Sequence, residues 1–461
     1  MREQEFRIET DSMGEVMVPA KAYYGAQTQR AVENFPISRL RFPRVFIWAL
    51  GLIKLVAART NLGLGLLSEE IAVAIIQAAK EVADGGLDNQ FVVDIFQTGS
   101  GTSINMNADE VIANRAIEIL GGTLGSKNPV HPNDHVNLSQ SSNDVIPTVI
   151  HLAAVQGIQE LLLILKECGR ALAVKSEQFD DIVKIGRTHL MDAVPMTLGQ
   201  EFSGYAYQVF QSCEQIKRSQ TMLMELALGG TAVGTGFGAP TSFAGQTIAL
   251  LVRETGFPFR EARNHFAAQG AQGALVSASA TLKGLALTLF KIGNDLRWLS
   301  SGPQAGLGEI CLPAVQPGSS IMPGKVNPVI VESLLQVAVQ VQANDLAVSL
   351  ASQAGNFELN TMLPIMAYSL LQSVELLKNA VSNFTKKCLK GITANEAHCR
   401  ELAENSLALV TALAPKIGYD KAAQLAQQAA ESGRSILAVA LEEQVLPEEE
   451  LRQLLNPTAM T

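Results

Sequence analysis

The sequence predicts a mostly helical protein built around a bundle of long helices. Five stretches, near 147–178, 198–227, 268–299, 328–353 and 362–389, repeat apolar residues at three- and four-residue spacing and are apolar on more than one face. Helices of about thirty residues exceed the usual length, and helices apolar nearly all round belong inside a bundle. Strand-type alternation is scarce. Composition agrees: 47% of the 461 residues are hydrophobic and only 17% are charged. One chain would leave apolar helix faces uncovered, so self-association is expected.

Taken in order, residues 1–45 read as an extended, turn-rich entry segment. Helical patterns follow over Phe46–Asn61, Glu69–Ala83 and Ala108–Leu120. The stretch from 121 to 144 is rich in glycine, asparagine and serine and reads as loop. The first long helix is placed from Pro147, with no proline inside it. From about Asn395 the pattern breaks into short helices, the mark of a small separate domain. No repeat of 20–50 residues is visible.

The net charge of −9 argues against nucleic acid or an anionic membrane as partner. Five cysteines, none in a C-x-x-C pair, point to a reducing, cytoplasmic compartment. The start, MREQEFRIETDSMG, lacks an apolar signal core. The apolar run VFIWALGLIKLVAA carries Lys54 and reads as too short to cross a bilayer, so no membrane is expected.

The chemistry concentrates in loops between the long helices, where function tends to sit. GSSIMPGKVNP (318–328) nearly spells a P-loop, but five residues separate Gly318 from Gly324 and Val326 follows Lys325, so the magnesium-binding hydroxyl is missing. Asn327-Pro328 reads as an N-cap with proline at the first helical position, which places Lys325 at an anion-friendly helix start. GSGTSINMN (99–107) offers Ser100 and Thr102 on a glycine turn, a carboxylate cradle or a plain turn. SQSSND (139–144) offers Ser141, Ser142 and Asn143, equally a capping cluster for the helix at 147. GRTHLMDAVP (186–195) places Thr188 beside His189, one of six histidines. HPNDH (131–135) has H-x-x-x-H spacing, but Pro132 breaks a regular helix and no third metal ligand is evident. GGTAVGTGFG (229–238) lacks G-x-G-x-x-G and follows a helix, which argues against a dinucleotide site. Many neutral donors, one lysine, one histidine and a loop serine suit a small polycarboxylate and removal of a proton beside a carboxylate.

GSSIMPGKVNP resembles the signature of the fumarase/aspartase superfamily, and AYYGAQTQRAVENFPIS, GSGTSINMN, HPNDHVN, SQSSND, GRTHL, GGTAVGTG and the segment from ITANEAHCRELAENS onward resemble its other motifs in order. QSSND with GNFELN (355–360) is similar to class II fumarases, where aspartases read QSTND and GQLELN. The resemblance implies an all-α, three-domain fold (1–140, 141–393, 394–461) with a central bundle of long helices. It implies a homotetramer, active sites shared between subunits, and cofactor-free, metal-independent hydration of fumarate to L-malate. It implies Ser319 as general base, His189 oriented through Glu332 as the partner in water departure, and Lys325 with Asn327 on the carboxylate where charge develops. Ser100, Thr102, Ser141, Ser142, Asn143 and Thr188 would hold the rest of the dianion. His131, Asn133 and Asp134 map onto a second dicarboxylate site.

The chain departs from the family pattern at Gln304 in SGPQAG and at Asn128, each where an arginine is usual, and at Phe237-Gly238 in place of the usual Leu-Asn of GTGLN. The rival readings are an aspartate ammonia-lyase and a catalytically idle structural member of the same fold.

Overall fold

The computed structural model describes residues 5–461. The entry segment is more ordered than its pattern predicts. A hairpin, β1 (Phe6–Asp11) and β2 (Gly14–Pro19), is followed by a helix, α1 (Ala26–Asn34). Tertiary partners make both possible. Arg7 donates to the carbonyls of Pro19, Ala20, Ala22 and Tyr24. The buried Glu110 carboxylate accepts the N–H groups of Gly25, Gln27 and Thr28, which satisfies donors that α1 cannot satisfy itself.

Three helices follow: α2 (Arg44–Gly63), α3 (Glu69–Asp84) and α4 (Thr102–Ile119). The α4 helix starts six residues before its predicted start, because the asparagines of SINMN find buried partners. Asn105 reaches Asp109 and Asn137, and Asn107 reaches the Gln90 carbonyl. Contrary to the reading of its apolar run, α2 has 20 residues and is long and apolar enough to cross a membrane, as are α5 and α9 below. Within the fold α2 is mostly buried in protein, and its Lys54 pairs with Asp109 at 2.8 Å, both side chains fully enclosed.

The five predicted long helices are α5 (Ser142–Gln178), α6 (Leu198–Met222), α9 (Gly273–Leu299), α10 (Val329–Ser352) and α11 (Leu363–Lys387), with α7 (Phe243–Thr255) and α8 (His265–Gly270) between α6 and α9. The α5 helix begins at Ser142, and Pro147 lies inside it. Ser141 and Asp144 close the helix start, and Pro147 in the second turn gives no N–H to the Asn143 carbonyl. Between α5 and α6, the stretch read as loop is a hairpin, β3 (Val183–Thr188) and β4 (Met191–Thr197). After α11 come α12 (Glu396–Glu404), α13 (Ala414–Ile417), α14 (Tyr419–Ser432), α15 (Ile436–Glu442) and α16 (Glu448–Leu454), the short helices the sequence predicts. They close on a local core of Leu413, Leu425, Ile436, Val439 and Leu451.

The chain divides into two compact units. The first comprises Met1–Leu162, Glu214–Gly284 and Gln340–Leu377; the second comprises Leu163–Cys213, Leu285–Val339 and Lys378–Thr461. Leucine, isoleucine, valine and alanine fill the interior of each.

Candidate active site

The first unit gathers four of the motifs. Gly101, at the start of α4, lies against Ile146 of α5, so two helix N-termini stand side by side. Ser100 Oγ is 2.8 Å from Thr102 Oγ1 at one of them. At the other, the Ser141 N–H donates to Asp144 while the Asn143 N–H donates to Ser141 Oγ, a reciprocal cap. Asp144 is fully buried, and its second oxygen accepts the N–H groups of Gly229 and Thr231 at 2.9 Å each. Asn143 donates to the Ala232 carbonyl at 2.8 Å. GGTAVGTG is thereby tied to the start of α5. Burial raises the pKa of Asp144, and the three backbone donors act against that rise. GNFELN closes the group: the Leu363 N–H donates to the Gly99 carbonyl, and a Cβ on Gly99 would stand 1.8 Å from the Thr361 oxygen. Ser100, Thr102, Ser141, Ser142 and Asn143 are therefore neighbours, on elements that leave little freedom. Two helix N-termini and several hydroxyls form a site for an anion without a full cation.

The second unit holds the acid–base candidates. The signature loop is folded on itself. The Gly318 N–H donates to the Lys325 carbonyl, and Asn327 Nδ2 donates to the Gly318 carbonyl at 2.6 Å. This corrects the N-cap reading of Asn327: its side chain closes the loop, and Pro328 supplies the carbonyl that accepts the first helical N–H, from Glu332. Ser319 Oγ accepts the N–H groups of Ile321 and Met322 at 3.2 and 2.9 Å. Lys325, Asn327 and Glu332 line one cavity of about 570 Å³, together with Arg297 and Trp298 from the end of α9.

His189 and Leu190 form the two-residue tip of the β3–β4 hairpin, with φ of 57° and 59°. Such turns favour asparagine and glycine, so this tip is strained. Both residues are exposed, and no hydrogen bond joins His189 to Glu332 within the chain among the described residues. The orienting pair expected from the resemblance is not assembled inside one chain, because the histidine projects from a tip.

His131, Asn133 and Asp134 share a single π-type turn, Pro132–Val136. His131 Nδ1 accepts the N–H groups of Asn133 and Asp134, so the ring is neutral with its proton on Nε2; burial lowers its pKa further. Its 3.4 Å contact with Asp134 is therefore not an ion pair at neutral pH. His135 Nδ1 accepts the His131 N–H, so both histidines use Nδ1 on the backbone. Lys127, beside Asn128, donates to the Thr10 carbonyl, and its charge adds to the lowering of the His131 pKa. Gln304 is exposed.

Sequence reasoning missed Asp144, although S-x-x-D is a capping signal. It also missed Arg187 and Glu309, which pair through two contacts of 2.9 and 3.0 Å, with Glu309 fully buried. Glu309 carries no sequence signal; only the fold brings it to Arg187.

Comparison with known proteins matches residues 14–343 to a lyase family and residues 409–461 to a fumarase C C-terminus family. Fumarate hydratase class II of Thermosynechococcus vestitus is 53% identical, over 96% of this chain and 95% of that protein. Fumarate hydratase class II of Rhizobium meliloti is 50% identical, over 98% of each. The crystal structure of recombinant class II fumarase from Schistosoma mansoni superposes with a TM-score of 0.95 at 40% identity, covering 99% of both chains.

Proposed function

We propose, because the chain belongs to the class II fumarate hydratase family, that it is a hydro-lyase catalysing the reversible hydration of fumarate to L-malate. The observation that carries the mechanism is the pair of N–H groups on Ser319 Oγ. A serine hydroxyl is a poor base unaided. Two fixed donors aimed at its oxygen stabilise the alkoxide, and no reorganisation is needed when charge appears. Ser319 then takes the C3 proton of malate. Negative charge builds on the adjacent carboxylate, which Lys325 and Asn327 hold. His189, oriented by Glu332, passes a proton through water to the departing hydroxyl. Ser100, Thr102, Ser141, Ser142, Asn143 and Thr188 fix the rest of the dianion. Proton removal, proton delivery and charge stabilisation are all supplied by side chains and backbone.

The active unit in this reading is a homotetramer whose sites gather loops from three subunits. Two features support it: His189 and Glu332 are unpaired with each other in one chain, and α6, α9 and α10 expose Tyr207, Leu287, Leu346 and Leu350. His131, Asn133 and Asp134 form a second dicarboxylate site, and the enzyme works in the cytoplasm, in the tricarboxylic acid cycle.

The test is absorbance of the fumarate double bond with L-malate in one cuvette and L-aspartate in another. A rise with malate alone is expected, and Ser319→Ala should lower turnover about a thousand-fold while substrate still binds. A rise with aspartate alone, or full turnover by the variant, would sink the reading.

A further inference from the structure

We infer that the Arg187–Glu309 ion pair is a positioning clamp for both catalytic loops, fixing the hairpin that carries His189 and the root of the loop that carries Ser319. This rests on the roles proposed above for those two residues. Arg187 immediately precedes Thr188 and His189. A bulge between Ile185 and Arg187 shifts the strand register there, and the bulge needs a glycine: a Cβ on Gly186 would stand 2.8 Å from the Val194 carbonyl oxygen. The Arg187 guanidinium engages both oxygens of Glu309, at 2.9 and 3.0 Å.

Glu309 stands where three segments meet. Its N–H donates to the Leu299 carbonyl at the end of α9. Its carbonyl accepts the Asn395 N–H at 2.8 Å and the Cys399 thiol at 3.5 Å. The next two residues, Ile310–Cys311, pair with Thr393–Ala394, and the chain then enters the signature loop. Further charges surround the clamp: Lys184 lies 3.0 Å from Glu201 and 3.6 Å from Glu309, and Asp192 sits opposite Arg187 across the hairpin, so two cations face three carboxylates. A forked ion pair with its carboxylate fully buried is a rigid joint. Nothing comparable exists at the tip, where His189 makes no side-chain hydrogen bond among the described residues. The aim of the imidazole is therefore set at the base of the hairpin.

Arg187→Lys keeps the charge but not the fork. Glu309→Asp keeps the carboxylate but shortens it, and serves if the first variant folds poorly. Expected for either is a fall in kcat of about ten- to a hundred-fold, with KM within about three-fold of wild type. The tetramer and its melting temperature should be little changed, and the limb of the kcat–pH profile that reports His189 should move. Unchanged kcat and pH profile, or a loss that only follows the folded fraction, would overturn the clamp. If the wild type does not hydrate fumarate, the reaction assignment fails separately. The clamp is then judged by nitrogen-15 histidine spectra of wild type and Arg187→Lys: a displaced His189 titration supports it, and superimposable spectra refute it.

Discussion

In the proposed mechanism, Ser319 acquires from its loop a function its side chain lacks. Its hydroxyl would be inert in a free loop, and two N–H groups of the same loop change that. The sequence names the serine and the lysine, because the motif is local. It does not reveal that Asn327 turns back to Gly318, since that bond depends on how the loop closes. His151 makes a second case. Its Nδ1 lies 3.1 and 2.9 Å from the carbonyls of Leu223 and Glu225, and burial pushes its pKa down to about 4. The folded chain thus refuses a proton that the unfolded chain accepts near pH 6.5. This contribution is complete above pH 6.5 and is lost as pH falls from there toward 4, by at most about 3 kcal/mol. Asp109, raised by burial to about 6, acts in the opposite sense. Urea unfolding at pH 7 and pH 5 separates the two: His151→Gln should lose less stability on acidification than wild type, and equal losses would refute the assignment.

At the level of elements, the long helices were legible because their pattern repeats over many turns. Their ends were less so. The α5 helix starts at Ser142 rather than Pro147 because Asp144 and Ser141 cap each other and the glycine loop docks on Asp144. The GRTHL hairpin is hidden in the sequence because its turn lacks asparagine and glycine and a bulge breaks its register. Close backbone approach also lies beyond local pattern. At Gly99 the chain packs against the Thr361 carbonyl, a backbone atom that has little room to yield. Gly99→Ala should therefore separate the GSGTS turn from GNFELN, cost about 2 kcal/mol or more in urea unfolding and raise KM for malate about ten-fold. A variant with wild-type KM would show that the two segments can part without harm to the site.

At the level of the whole molecule, composition alone predicted self-association, and the fold shows where the apolar surface lies. Leu346 and Leu350 are 59% and 57% exposed on α10, four residues apart and on one face. Replacing both by aspartate should dissociate the proposed tetramer in sedimentation velocity. If the sites are shared as proposed, activity should fall at least about ten-fold in parallel. A fully active monomer would show that each chain completes its own site. Under the proposed sharing, the sequence names the candidate catalytic residues without showing how they meet. Motif order records which residues are present; in the proposed tetramer their meeting is a property of the assembly.

The tip at His189–Leu190 has one more consequence, for anyone seeking a hardier catalyst. Both residues occupy backbone conformations that suit asparagine and glycine. A library sorted only for endurance to heat would be drawn to His189→Asn and Leu190→Gly, which relax the turn. The first of these removes the imidazole proposed above to deliver the proton. At this one bend, selection for durability and selection for turnover pull the same codon in opposite directions.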